Sequence, residues 1–142
     1  MTAPADPSVV RGRRLGAPVV LAGAVLSLSL LLHLRDPHRG GSWGYCPWLL
    51  LTGTYCPGCG GLRAVNDLTH GDLGGAASSN LLLLVSAPFV VAWWSRWTRD
   101  RWRGVRRSVD SRRQVRLAVL FVALALCFAV LRNTDAGAWL AP

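Results

Sequence analysis

The sequence predicts an all-α, polytopic membrane protein: three transmembrane helices with a cysteine-containing outer connector that carries short helices. Three observations lead there. The apolar residues gather into three runs, Ala17 to Leu34, Leu81 to Trp97 and Val115 to Leu131, of 17 or 18 residues each. A helix needs about 17–25 residues of this kind to cross a bilayer, and it satisfies its own backbone hydrogen bonds there. The basic residues are distributed one-sidedly around those runs. Finally, three of the four cysteines fall within 14 residues, between the first run and the second. Mean hydropathy is only +0.32 because arginine-rich connectors dilute the average. A soluble core that absorbed all three runs would need polar patterning that they lack.

The charge pattern sets an expected topology. Net charge is +9 over 142 residues, and all 16 basic residues are arginine. Arg11, Arg13 and Arg14 precede the first run. Nine more lie at the facing ends of the second and third runs and between them: Arg96, Arg99, Arg101, Arg103, Arg106, Arg107, Arg112, Arg113 and Arg116. The longer connector over 35–80 holds only Arg35, Arg39 and Arg63, and Arg132 follows the last run. Arginine-rich connectors stay cytoplasmic. The expectation is a multi-pass protein of the plasma membrane, with a cytoplasmic amino terminus and a basic cytoplasmic loop over 98–114. The cysteine connector and the carboxyl terminus then lie outside. On this reading the charge serves topology, so the lipid bilayer is the partner and nucleic acid is not. The first run exceeds the 7–15 apolar residues of a signal core and ends in His33-Leu34-Arg35-Asp36, without a small-residue cleavage site, so it reads as an uncleaved anchor.

Taken in order, residues 1–14 read as a disordered cytoplasmic tail and residues 15–142 as one membrane domain, with spans at about 17–34, 81–97 and 115–131. The first helix ends near Pro37 and the Gly40-Gly41 break. Trp48-Leu49-Leu50-Leu51 is too short to span and is expected at the membrane interface. Leu62 to His70 reads as a short helix with Gly71 as its C-cap, and Asp72 as the N-cap of the next. Small residues from Gly74 to Ser79 lead into the second span and allow close helix packing. Pro88 is expected to kink that span, because it removes one hydrogen bond and crowds the preceding turn. Trp93, Trp94 and Trp97 mark its interfacial end. Cys127, in the third span, reads as a small buried apolar residue.

The chemistry concentrates in Cys46-Pro47 and Cys56-Pro57-Gly58-Cys59-Gly60. Two cysteines separated by two residues can share a metal ion or form a disulfide. As a metal site the set would be Cys46, Cys56, Cys59 and His70, with zinc as the ion, although these spacings match no standard zinc module. As a redox or structural pair, Cys56 and Cys59 would bond to each other with Cys46 as resolving thiol, in a compartment where thiols commonly pair. The order Cys-Pro-Gly-Cys differs from the Cys-Gly-Pro-Cys of thioredoxin, and no thioredoxin-like strand pattern surrounds it. Beside the cysteines, Arg63, Asn66, Asp67 and His70 share one helical face, and Arg63 and Asp67 can pair at i, i+4. Such a face is either solvated or part of a polar cleft at the membrane surface.

The run Cys46-Pro47, Thr52-Gly53, Tyr55-Cys56-Pro57-Gly58-Cys59-Gly60-Gly61-Leu62-Arg63-Ala64, then His70-Gly71-Asp72-Leu73, Ala76 and Asn80, closely resembles the membrane family termed domain of unknown function 2752. The resemblance covers about residues 43–95. Relatives often read Asn-Pro where this chain has Asn80-Leu81, a departure that predicts a straighter start to the second helix. Many also carry Thr before the arginine, where this chain has Leu62, so that hydroxyl is absent here. The resemblance implies an architecture and a site location but no activity, cofactor or partner.

Together these readings point to a non-enzymatic membrane component whose outer loop, held by thiol or metal chemistry, packs on the helices or binds a partner. Envelope thiol-disulfide exchange and metal binding are the two alternatives. Three spans are too few for a self-contained transporter, so transport would require a homo-oligomer or a membrane partner protein.

Overall fold

The computed structural model describes residues 7–39, 43–105 and 110–141, and among these it contains five α-helices, one 3₁₀ helix and no strand. The helices are α1 (Pro7–Leu34), α2 (Pro47–Thr52), α3 (Gly61–Thr69), α4 (Leu73–Arg103) and α5 (Ser111–Leu131), and the 3₁₀ helix covers Asp135–Leu140. Three helices are long and apolar enough to cross a membrane: Leu15–Leu34 within α1, α4, and α5. Only 11%, 17% and 6% of their most apolar windows is buried inside the chain, which leaves most of that surface to lipid. The architecture is the multi-pass helical one expected.

The amino-terminal boundary differs from expectation. Helix α1 begins at Pro7, so residues 7–14, read as disordered tail, continue the first span as helix, while residues 1–6 lie outside the described residues. Pro7 stands at the first helical position, where its missing N–H costs nothing. The arginine-rich segment 106–109 also lies outside the described residues. Helix α4 closes at Gly104, and α5 opens on Asp110, whose carboxylate accepts from the Arg112 and Arg113 amides. Trp93 and Trp97 stack near the end of α4, with the Arg101 guanidinium 4.9 Å from the Trp97 ring centroid.

The second span breaks where no break was expected. Asn80 leaves helical geometry (φ −161°, ψ 94°) and is the only residue inside α4 to do so, whereas Pro88 keeps helical backbone angles. The straighter start predicted from Asn80-Leu81 is therefore corrected: α4 is a short segment from Leu73, a break at Asn80, and then the long span. Asp72 caps the first segment as predicted, accepting from the Gly75 amide at 2.8 Å. Asn80 caps the second, accepting from the Leu83 amide at 2.9 Å.

Packing is concentrated at the connector end. Leu32, Ala64, Ala76, Asn80, Arg132 and Leu140 are buried there. Helix α3 lies against α4 and the end of α1. Helix α5 meets the rest chiefly through the 3₁₀ helix, and an open apolar groove lined by Phe89, Trp93, Leu120 and Phe121 separates it from α4. Cys127, expected to be buried, is exposed because α5 packs so loosely. A Cβ at Gly137 would collide with the Leu131 carbonyl, so only glycine lets the 3₁₀ helix fold back on α5. In α2, Trp48, Leu50 and Leu51 are all exposed, an apolar patch of the kind an interface accepts.

Candidate functional site

Two short elements bring the cysteines together. Cys46 is the N-cap of α2, and Cys56-Pro57-Gly58-Cys59 forms a turn in which the Cys59 amide donates to the Cys56 carbonyl at 3.1 Å. Gly60 then takes φ +77°, a conformation that glycine adopts without strain, and α3 starts at once. The Sγ atoms of Cys56 and Cys59 lie 3.1 Å apart and those of Cys46 and Cys56 3.6 Å apart. All three sulfurs fall within 4.8 Å of one another. Thiolates bound to one tetrahedral zinc at about 2.3 Å would be separated by about 3.8 Å, in the middle of that range. Cys46 and Cys56 are partly exposed and Cys59 is buried, so the cluster has one open side.

The turn is gripped from the ends of two long helices. Asn80 Nδ2 donates to the carbonyls of Pro57 (2.9 Å) and Cys59 (3.0 Å). Arg132, just past α5, donates through Nη1 to the Cys56 carbonyl (3.0 Å) and the Cys59 carbonyl (3.1 Å). Asn133 holds Tyr55 in both directions, accepting from its amide at 2.8 Å and donating to its carbonyl at 2.9 Å.

The surroundings divide the thiols. The Leu49 amide at the start of α2, followed by the Cys59 thiol, holds the Cys46 pKa below its ordinary value. Burial, followed by hydrogen bonds from Cys56 and Cys46, pushes Cys59 up to about 12. Burial lowers Arg132, opposed by the nearby Cys59 and Cys56 sulfurs.

Residues 46–94 match the model of a family described as protein of unknown function (DUF2752). Over that segment the chain is similar to the family. The matched segment contains the whole cysteine cluster, α3 and most of α4, but neither α1 nor α5. No curated protein and no solved structure matches the chain.

Within the DUF2752 segment, the other residues singled out from sequence fall differently. His70 is not among the converging side chains. It is the C-cap of α3, with Gly71 just beyond it, and its Nδ1 donates to the Asn66 carbonyl at 2.9 Å. Its ring stacks on His33 at a centroid distance of 4.1 Å. The polar face of α3 is turned inward at its middle, whereas Arg63 is half-buried and His70 exposed. Asn66 and Asp67 are buried, while Leu62 on the opposite face is 42% exposed. Asn66 Nδ2 donates to the Leu32 carbonyl at 2.7 Å, tying α3 to the end of α1. Asp67 accepts from Ser79 at 2.7 Å and lies 3.3 Å from His38 Nε2, so its partners are these two and not Arg63. Because Ser79 adjoins Asn80, this polar network runs directly into the grip on the cysteine turn.

Sequence reasoning missed Arg132 and Asn133, which sit outside the DUF2752 segment and 76 and 78 positions from the residues they hold. One signal was available. Arg132 is the lone arginine after the last run.

Proposed function

We propose that this membrane protein holds one divalent, thiophilic metal ion, zinc in character, on Cys46, Cys56 and Cys59. The ion orders the connector as a non-enzymatic surface for packing and partner binding. The observation that carries this reading is the convergence of three sulfurs, 3.1 and 3.6 Å apart in two pairs and all within 4.8 Å, a spread that brackets the about 3.8 Å of tetrahedral thiolate coordination. Soft thiolates select zinc and its heavier relatives over hard cations. Loading converts three thiols and one M²⁺ into M(S-Cys)₃⁻ with release of three protons, so the site loads more weakly as pH falls.

Among the described residues no fourth His, Cys, Asp or Glu joins the group. The fourth position then falls to water or to a donor from a partner, on the open side beside Cys46 and Cys56. The arginine asymmetry supports a location for this surface outside the plasma membrane, with the amino terminus in the cytoplasm.

Elemental analysis of the full-length protein, purified in detergent after zinc loading, tests the reading. One zinc per chain is expected, lost in Cys56→Ser. A folded, metal-free protein with a Cys56–Cys59 disulfide would overturn it in favour of thiol-disulfide exchange.

A further inference from the structure

Arg132 is the most enclosed charged residue among those described, at 1% exposure. Among the described residues, every contact it makes is to a neutral group. Nη1 holds the Cys56 and Cys59 carbonyls, and Nη2 holds the Leu140 carbonyl at 2.9 Å. The rings of Phe128 and Tyr55 lie 4.9 and 5.6 Å from its central carbon. Its Nε is buried with no hydrogen-bond partner, and among the described residues no carboxylate pairs with it. A buried guanidinium without an anion is costly, the more so beside a bilayer. The carbonyls it binds belong to the two cysteines of the turn, which puts its charge against the backbone that carries two of the three sulfurs.

We propose that Arg132 is the charge partner of the loaded metal site, its single positive charge neutralising the single negative charge of a divalent ion on three thiolates. This rests on the metal reading above and deepens it by naming the charge state that the site favours. Three thiolates with M²⁺ carry −1, and one guanidinium brings the assembly to zero. A monovalent ion on the same three thiolates would leave −1 uncompensated at the membrane edge. Electroneutrality therefore favours a divalent ion with all three thiols ionised, and a neutral fourth ligand such as water or imidazole. Arg132 touches no metal ligand atom, so it is a positioning residue that acts through the field it sets and the backbone it holds.

The bland alternative is a neutral staple, in which Arg132 matters only as a donor to carbonyls. Two substitutions separate the readings. Arg132→Lys keeps the charge but loses the planar fork, whereas Arg132→Gln keeps an amide donor but loses the charge. The affinity of each full-length protein for Zn²⁺, in detergent, is measured by competition with a chromophoric chelator. Expected is Lys within about threefold of the parent and Gln weaker by about tenfold or more, since interactions with charged groups are the strong ones. Gln equal to or tighter than Lys would overturn the proposal and leave a staple. Should Arg132→Gln fail to fold, citrulline introduced at position 132 removes the charge at nearly constant shape. It must show the same tenfold loss, and parental affinity there would also overturn the proposal. A parent protein that binds no zinc sinks the metal reading itself, a result distinct from any ranking of the variants.

Discussion

Replacing Asn80 by alanine should loosen the cysteine turn and the second span together. Asn80 is 2% exposed and makes three hydrogen bonds through one amide: to the Pro57 carbonyl, to the Cys59 carbonyl, and from the Leu83 amide. The Cys59 carbonyl keeps Arg132 as a donor after the change. The Pro57 carbonyl loses its amide donor and the Leu83 amide loses its cap. An orphaned buried backbone group costs about 1–3 kcal/mol and a lost N-cap about 1 kcal/mol, so the expected loss is about 2–4 kcal/mol. Asn80→Asp should be at least as harmful. It keeps the cap but aims a carboxylate oxygen at two carbonyl oxygens. The assay is reversible unfolding of the metal-free protein in detergent, paired with the alkylation rate of Cys59, which should rise as the turn opens. A loss below about 0.5 kcal/mol, the range of an unremarkable surface substitution, would refute the reasoning, as would an Asp variant milder than Ala.

Two further outcomes follow from the same geometry. Leu81→Pro should cost less than about 1 kcal/mol, because Asn80 is already extended, as a residue before proline prefers, and position 81 begins the helix. Leu84→Pro, one turn further in, should cost about 3 kcal/mol or more; equal effects in thermal unfolding would contradict the break at Asn80. In the metal-free protein near pH 8, Cys46 should alkylate well before Cys59. The amide of Leu49 favours the Cys46 thiolate while burial keeps Cys59 protonated, and the thiolate is the reactive form. Peptide mapping after a short iodoacetamide pulse reads the order, and Cys59 labelled first would contradict it.

What could be read from the chain in advance was what depends on local pattern. Run length and arginine placement are sums over neighbours, so the three long helices followed from them. The spacing of Cys56 and Cys59 fixes a turn, and Asp72 before a helical stretch caps it, as the Gly75 amide bond bears out. Interactions between distant segments were not legible. The face carrying Asn66 and Asp67 looks like a solvated surface until α1 supplies the Leu32 carbonyl and α4 supplies Ser79. Asn80 breaks its helix because partners in the cysteine turn, more than 20 positions away, take its amide donors. His70 has the right chemistry for a ligand, yet the end of α1 presents His33 to its ring and draws it into a stack. Nothing near Arg132 in sequence announces that a turn 76 positions earlier will enclose it.

X-ray absorption at the metal edge of the zinc-loaded, full-length protein counts directly the sulfurs that serve one ion. Three sulfur scatterers at about 2.3 Å with one lighter atom completing the shell are predicted. Two or fewer sulfurs, with nitrogen or oxygen in their place, would mean that the thiols of Cys46, Cys56 and Cys59 do not act as one site.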